Sequence, residues 1–302
     1  MKPTLTIFTP AYNRAYTIHK CYESLKRQTC KDFKWLVIDD GSTDNTKEVI
    51  QNYIDENIID IQYIYQKNQG MHGAHNTAYK NIDTELNVCI DSDDYMPDDA
   101  VEKIINFWNK NKSDKIAGFI GLDAYENGEI IGDKFPENIK KTTLFEINNK
   151  YKIPGDKKIV YRTEISKEYQ YPIFENEKYV GLAYKYYKID EEYELALMNE
   201  VLCIVEYLED GSSRNMLNQY KKNPKGFAFY RIENMKNSRA NLKFKIKENI
   251  HYVSSSLISK NRKFLKESPC KILTIFSIPL GVLLCMYIIK NTNKKVNEME
   301  GI

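Results

Sequence analysis

The sequence predicts an α/β fold in which a mainly parallel sheet is flanked by helices, and three observations carry that prediction. Short β-favouring runs alternate with helix-period runs through the first 120 or so residues. Each strand-like run ends in a polar loop, and in open α/β sheets such loops, at the carboxyl ends of the strands, are where ligands bind. A chain of 302 residues with 42% hydrophobic residues is also long enough to bury a sizeable core.

Leu5–Phe8 reads as a strand ending at Thr9-Pro10. Ile18, Cys21, Tyr22 and Leu25 recur at i, i+3, i+4 and i+7, one face of a helix. Phe33–Ile38 is a second strand, closed by Asp39-Asp40-Gly41-Ser42. Capping residues Ser42–Asp44 then open a helix carrying Val49, Ile50, Tyr53 and Ile54. Ile59–Tyr65 and Asn87–Ile90 are further strands. Pro97 opens a helix with Val101, Ile104, Ile105 and Trp108 on one face, and Ile116–Leu122 is another strand. No GxGxxG or Walker sequence lies in the strand-end loops, which argues against a Rossmann dehydrogenase or a P-loop NTPase.

Charge is unevenly placed. The formal net charge is +2, but residues 214–271 hold 15 Lys+Arg against three acids, leaving residues 1–213 at −11. The two parts therefore face different partners. Composition excludes a disordered polymer, a collagen-like fibre and a polytopic membrane protein. The six cysteines show no CxxC pairing and no signal-peptide-like run opens the chain, so the acidic part is expected in the reducing cytosol.

Asp91, Asp93 and Asp94 fall within four residues directly after a strand. Carboxylates this close repel one another unless a cation sits among them, and hard oxygen ligands favour Mg²⁺ or Mn²⁺ over zinc. An EF-hand spacing from Asp91 to Glu102 fails internally, because Tyr95 and Met96 stand where a ligand and the turn glycine are required.

Four ordered motifs then identify a family. Thr9–Arg14, Val37–Asp44, Asn68-Gln69-Gly70 with Ala74-His75-Asn76, and Asp91–Asp94 resemble glycosyltransferase family 2. The resemblance is strong over about residues 4–125 and weaker to about residue 213. It implies a GT-A fold and an inverting transfer of sugar from a nucleotide donor. By position, Asp93 resembles the metal-binding acid of the DxD motif and Asp91 its first acid, with Asp94 a lesser candidate. The donor is expected to contact Pro10, Tyr12, Arg14, Asp39, Asp40, Gly70, His75, Asn76, Asp91 and Ser92, with Asp40 or Asp39 meeting the base, which suits a uracil. His72 and His75 could be read as a metal pair, but the acidic loop already accounts for a metal.

Inverting transfer needs a base for the acceptor hydroxyl. Val160–Glu164 and Tyr171–Tyr179 resemble the acceptor-side region, with Glu177 as first candidate and Glu175 as runner-up. Tyr207–Ser213 resembles the loop that closes the catalytic domain. The alternatives to an enzyme are a non-catalytic nucleotide-sugar-binding protein and a membrane-anchored scaffold.

At the rear, Leu242, Ile246, Ile250, Val253 and Leu257 recur at helical spacing among lysines. This stripe suits either an anionic membrane surface or packing on the catalytic domain. Ile272–Ile289 is uncharged, carries Pro279 and Gly281, and reaches roughly 27 Å as a helix, just short of a hydrocarbon core of about 30 Å, so it is read as spanning, re-entering or lying in one leaflet, with a dry core helix as the other reading. No nucleic-acid motif accompanies the basic segment, so no nucleic-acid partner is expected. The expected organisation is a nucleotide-sugar-binding half (1–125), an acceptor-side half (126–213), a basic helical segment (214–271) and an apolar segment with tail (272–302). The expected function is metal-dependent transfer from a UDP-sugar to a saccharide acceptor, lipid-linked, at the cytoplasmic face of the cell membrane.

Overall fold

The computed structural model describes residues 2–206 and 216–299. The expected closing loop, Tyr207–Ser213, lies outside the described residues. The chain forms two compact units: residues 1–170 with 188–208, and residues 171–187 with 209–302.

The first unit is built on an eight-stranded sheet. Its strands are β1 (Leu5–Ala11), β2 (Phe33–Asp39), β3 (Ile61–Tyr65), β4 (Leu86–Cys89), β5 (Ile116–Ala124), β6 (Lys141–Thr142), β7 (Lys157–Arg162) and β8 (Glu194–Ile204). Their order is β3-β2-β1-β4-β7-β5-β8-β6. The first four run parallel, β7 lies antiparallel between β4 and β5, and β8 runs parallel to β5. Helices α1 (Ile18–Lys26), α2 (Thr46–Glu56), α3 (Met71–Asn81) and α4 (Ala100–Asn111) connect the parallel strands in the expected alternation. Ile18, Cys21, Tyr22 and Leu25 of α1 are buried, as are Val101, Ile104 and Trp108 of α4. They pack with Leu5, Ile7, Trp35, Val37 and Val88 of the sheet in one core.

Strand β1 continues three residues past the expected stop. The backbone carbonyl of Phe8 accepts from Ile90 N–H on the β4 side, whereas that of Ala11 accepts from Asp40 N–H on the β2 side. Hydrogen-bonding sides alternate along a strand, so Pro10 turns its donor-less nitrogen toward β4. That strand's last register partner is Cys89, opposite Phe8. Proline is tolerated there because no ladder bond is due. Helix α4 begins at Ala100, a turn after Pro97.

The second unit contains α8 (Met216–Lys222), α9 (Pro224–Lys236), α10 (Leu242–Ile258), α11 (Phe264–Glu267) and α12 (Lys271–Met299). Three short helices precede them in the chain: α5 (Leu144–Glu146), α6 (Thr163–Glu168) and α7 (Ala183–Ile189). The stripe read on α10 is split between burial and exposure. Leu242, Ile246 and Leu257 are exposed, while Glu248, Asn249, Tyr252, Val253 and Ser254–Ser256 face inward. Arg231 of α9 forks onto both oxygens of Glu248 at 3.0 and 2.9 Å, and Asn234 donates to Glu248 at 2.8 Å. A buried carboxylate is tolerated there because its charge is paired and its acceptors are filled.

Candidate active site

The carboxyl ends of β1 and β2 are stitched together by short polar bonds. Asn13 adopts a left-handed conformation (φ 53°). Its backbone N–H donates to Ser42 Oγ at 2.9 Å, and its Oδ1 accepts from Thr43 N–H at 2.8 Å. Arg14 N–H donates to Thr46 Oγ1 at 3.0 Å, and its guanidinium reaches the Tyr16 hydroxyl at 3.1 Å. Tyr12, next to Pro10 and Ala11, is 48% exposed and free to offer its ring to a ligand.

Asp39 and Asp40 end β2, and both are buried. Asp39 accepts from Ser42 N–H at 2.7 Å and from the Tyr63 hydroxyl at 2.6 Å. Asp40 accepts from Gln66 Nε2 and from Gln69 and Gly70 N–H at 2.7–2.8 Å. The Asp40 bonds brace the loop entering α3, while those of Asp39 hold the turn after β2 and the end of β3. A ligand base would have to share acceptors that the chain already uses. Gly41 completes the junction: its φ is +86°, and an added Cβ would lie 2.8 Å from Asn68 N. The close approach of two backbones is what demands glycine there.

Gly70 (φ 82°) precedes the first residue of α3, so the amino end of that helix sits beside the Asp40 brace. Asn76 is half-buried. His75, expected at the donor, is 1% exposed. Its ring packs edge-on against Phe8 at 5.0 Å, and its Nε2 lies 3.7 Å from Cys89 Sγ. Cys89 Sγ in turn is 3.8 Å from Asp91 Oδ1, so the thiol links His75 to the acidic loop. The residue's apolar surroundings on α3, beneath β1, account for its position.

In the loop after β4 the side chains alternate. Asp91 and Asp93 are half-exposed, whereas Ser92 and Asp94 are buried. Asp94 N–H bonds back to the Asp91 carbonyl at 3.0 Å, making a tight turn, and Tyr95 pairs with Ile204 of β8 at 3.1 and 2.7 Å. Asp94 points into the sheet, where Lys158 of β7 lies 3.7 Å away and also 4.0 Å from Asp123 of β5. Burial raises the Asp94 carboxyl and holds that of Asp123 up at about 6. Burial also opposes the charge on Lys158, but the acids around it, Asp123 first, outweigh that and raise its ammonium well above the usual lysine value. Sequence reading missed Lys158 and Asp123. A lysine beside Lys157 in a β-run looks like any solvated cation, and only the antiparallel return of β7 brings it behind the acidic loop.

The described residues contain no ready-made group of three or more His, Cys, Asp or Glu able to hold a metal ion. His72 and His75, both buried, form no such site. The two half-exposed carboxylates still fit Mg²⁺ or Mn²⁺, since such ions are commonly held by one or two carboxylates plus substrate phosphate oxygens and water.

The acceptor-side candidates belong to the second unit. Glu177 is 7% exposed, and its two oxygens accept from Lys225 N–H at 2.9 Å and Gly226 N–H at 2.8 Å, at the first turn of α9. Asn223 Oδ1 accepts from Lys178 N–H at 2.6 Å beside it. Glu177 thus satisfies two of the orphan donors of a helix start and complements its dipole. Glu175 is exposed, and Asn176 between them adopts φ 61°.

A nucleotide-sugar-transferase architecture of the GT-A type is what this sheet and these loops define. The structure superposes on Staphylococcus aureus TarS residues 1–349 in complex with UDP-GlcNAc with a TM-score of 0.63, at 15% identity over 97% of this chain and 92% of that one. It also superposes on the mannosyltransferase PcManGT from Pyrobaculum calidifontis in complex with GDP-Man and Mn²⁺, with a TM-score of 0.55 at 15% identity. The family profile of glycosyl transferase family 2 matches residues 6–170, more than half of the chain, and the chain belongs to that family. Among curated relatives, chondroitin synthase of Escherichia coli is 37% identical over 111 residues, 37% of this chain and 16% of the synthase. Glycosyltransferase GlyA of Streptococcus pneumoniae is 29% identical over 187 residues, 57% of this chain and 25% of GlyA. The chain therefore spans a quarter or less of these relatives' length.

Proposed function

We propose that this family 2 domain transfers a sugar, with inversion, from a UDP-sugar to the hydroxyl of a saccharide acceptor, lipid-linked, in cell-surface polysaccharide assembly at the cytoplasmic membrane face. One observation carries the reading: Asp91 and Asp93 turn outward at the carboxyl end of β4 while their loop neighbours Ser92 and Asp94 turn in. Support for a nucleotide donor comes from the UDP-GlcNAc and GDP-Man bound by the two structural relatives, and support for polysaccharide work from the named synthases. The lipid-linked acceptor and membrane location draw on the basic rear segment and the apolar α12.

Asp93, with Asp91, would hold Mn²⁺ or Mg²⁺ against the donor diphosphate, where the ion acts as a Lewis acid for the departing nucleotide. Tyr12 would lie along the base, and the start of α3 at Gly70 would offer backbone N–H groups to phosphate. Glu175 takes the role of acceptor-side base, because Glu177 is committed to α9. That commitment is also the one observation favouring a binding module without transfer.

Thermal unfolding of the full chain with UDP and Mn²⁺ tests the donor site. Ligand at 100 times its dissociation constant adds about 2.7 kcal/mol, which is about 5–10 °C for a unit of this size. EDTA or Asp93→Asn should abolish the shift. No shift with any nucleotide would sink the donor assignment.

A further inference from the structure

Helix α12 is inside out. Thr274, Ser277, Gly281, Cys285, Ile288 and Thr292 recur at three or four residues and are buried. All but Ile288 are small or polar. The opposite row, Ile272, Ile275, Phe276, Leu280, Leu283 and Tyr287, is 52–77% exposed. A water-soluble helix pair arranges these classes the other way round, with its bulky apolar side chains in the seam.

The buried row packs closely on α10. A Cβ added to Gly281 would come within 2.5 Å of Val253 Cβ, and the Thr274 hydroxyl bonds to Asn249 and to Ser268. Small residues in the seam and polar side chains bonded across it are the packing used where the outer faces meet hydrocarbon. Lysines mark the borders of the exposed apolar surface: Lys271 and Lys290 bracket the α12 row, and Lys243 and Lys247 flank Leu242 and Ile246 on α10. Their charge is complementary to anionic headgroups, and their stems can lie along the apolar edge.

Crossing the bilayer is a different matter. The inner row of α12 is held by α10, so a spanning α12 would take that helix into the hydrocarbon. With it would go the polar inner face of α10, Asn249 and Ser254–Ser256, and the Glu248–Arg231 pair at its edge. Charges at such depth are strongly disfavoured.

We propose that the α10–α12 pair docks one-sidedly on an anionic lipid leaflet. The Ile272–Tyr287 row enters the upper acyl region, and α12 lies along the surface without crossing it. This rests on the membrane location proposed above and names its mode.

The test uses the full chain and vesicles of phosphatidylcholine with or without phosphatidylglycerol. Phe276→Trp, Leu280→Trp, Leu283→Trp and Tyr287→Trp are made singly, the buried Trp35 and Trp108 giving a constant background. Quenching is read with lipids brominated near the glycerol end or near the methyl end of the acyl chain. All four positions should be quenched more by the shallow bromines. Phe276→Lys with Leu283→Lys, both at exposed sites, should weaken binding to phosphatidylglycerol vesicles at least tenfold with unchanged circular dichroism. Deep quenching at 280 and 283 with shallow quenching at 276 and 287 would mean a span, and would overturn this mode while leaving membrane association standing. Equal binding to both vesicle types would overturn the anionic leaflet. No vesicle binding would overturn the mode and the membrane location together. So would a dimer dissociated by the Lys pair, which would assign the face to a second copy.

Discussion

Glu175 and Glu177 lie two residues apart in one acidic stretch, yet the structure gives them opposite circumstances. Glu177→Ala would leave the first-turn donors of α9 unmet, at a cost of about 1–2 kcal/mol. Glu175→Ala should stay within about 0.5 kcal/mol of wild type while lowering transfer about 10²–10⁴-fold. Urea denaturation and sugar-transfer rates on both variants check this, and the reverse pattern would return the base to Glu177. Asp123 offers a titration. Its carboxyl, held at about 6 by burial, keeps a proton that an unfolded chain releases near pH 3.9. Between about pH 4 and pH 6 the folded state therefore binds more protons, and the stability this group contributes falls as pH rises. Asp123→Asn removes that titration, so wild-type stability minus variant stability, measured by urea melts in EDTA, should decline across the window. A flat difference would place the carboxyl at its ordinary value.

At the scale of elements, period and turn chemistry made much of the first unit readable. Ile18, Cys21, Tyr22 and Leu25 fall on one buried face because a four-residue apolar repeat has few other uses. Strand ends were harder to place. Whether Pro10 stops β1 depends on which neighbour is due a hydrogen bond, and that depends on where β4 ends. The α10 stripe left two readings open and the structure divides it: the Leu242–Leu257 spacing is truly periodic, but a polar network around Glu248 shares the inner face with Val253, while Leu242, Ile246 and Leu257 stay exposed. Gly41 joins two elements through one missing side chain. Gly41→Ala forces a backbone contact at a left-handed φ, at a cost of about 1–3 kcal/mol. Because Asn68 is the residue struck, nucleotide affinity should weaken along with stability. Unchanged affinity, measured by calorimetry with UDP and Mn²⁺, would separate the loop from the donor site.

Across the whole molecule, the loops carrying the family motifs could be read from sequence because each combines fixed residue types with a fixed place after a strand. Partners that come from distant segments could not. Lys158 reaches Asp94 only through the antiparallel β7, and Glu177 reaches Lys225 of α9 across 48 residues of chain. That last contact bears on how the protein can be divided. Residues 171–187 leave the sheet-bearing unit partway through its chain and fold with the helices beyond residue 208. A polypeptide shortened at that point would keep Asp91, Asp93 and the Asp40 brace intact. It would deprive Glu177 and Lys178 of Lys225, Gly226 and Asn223, so the neighbouring Glu175 would lose its footing. Under the function proposed above, nucleotide capture should survive the cut and transfer should not.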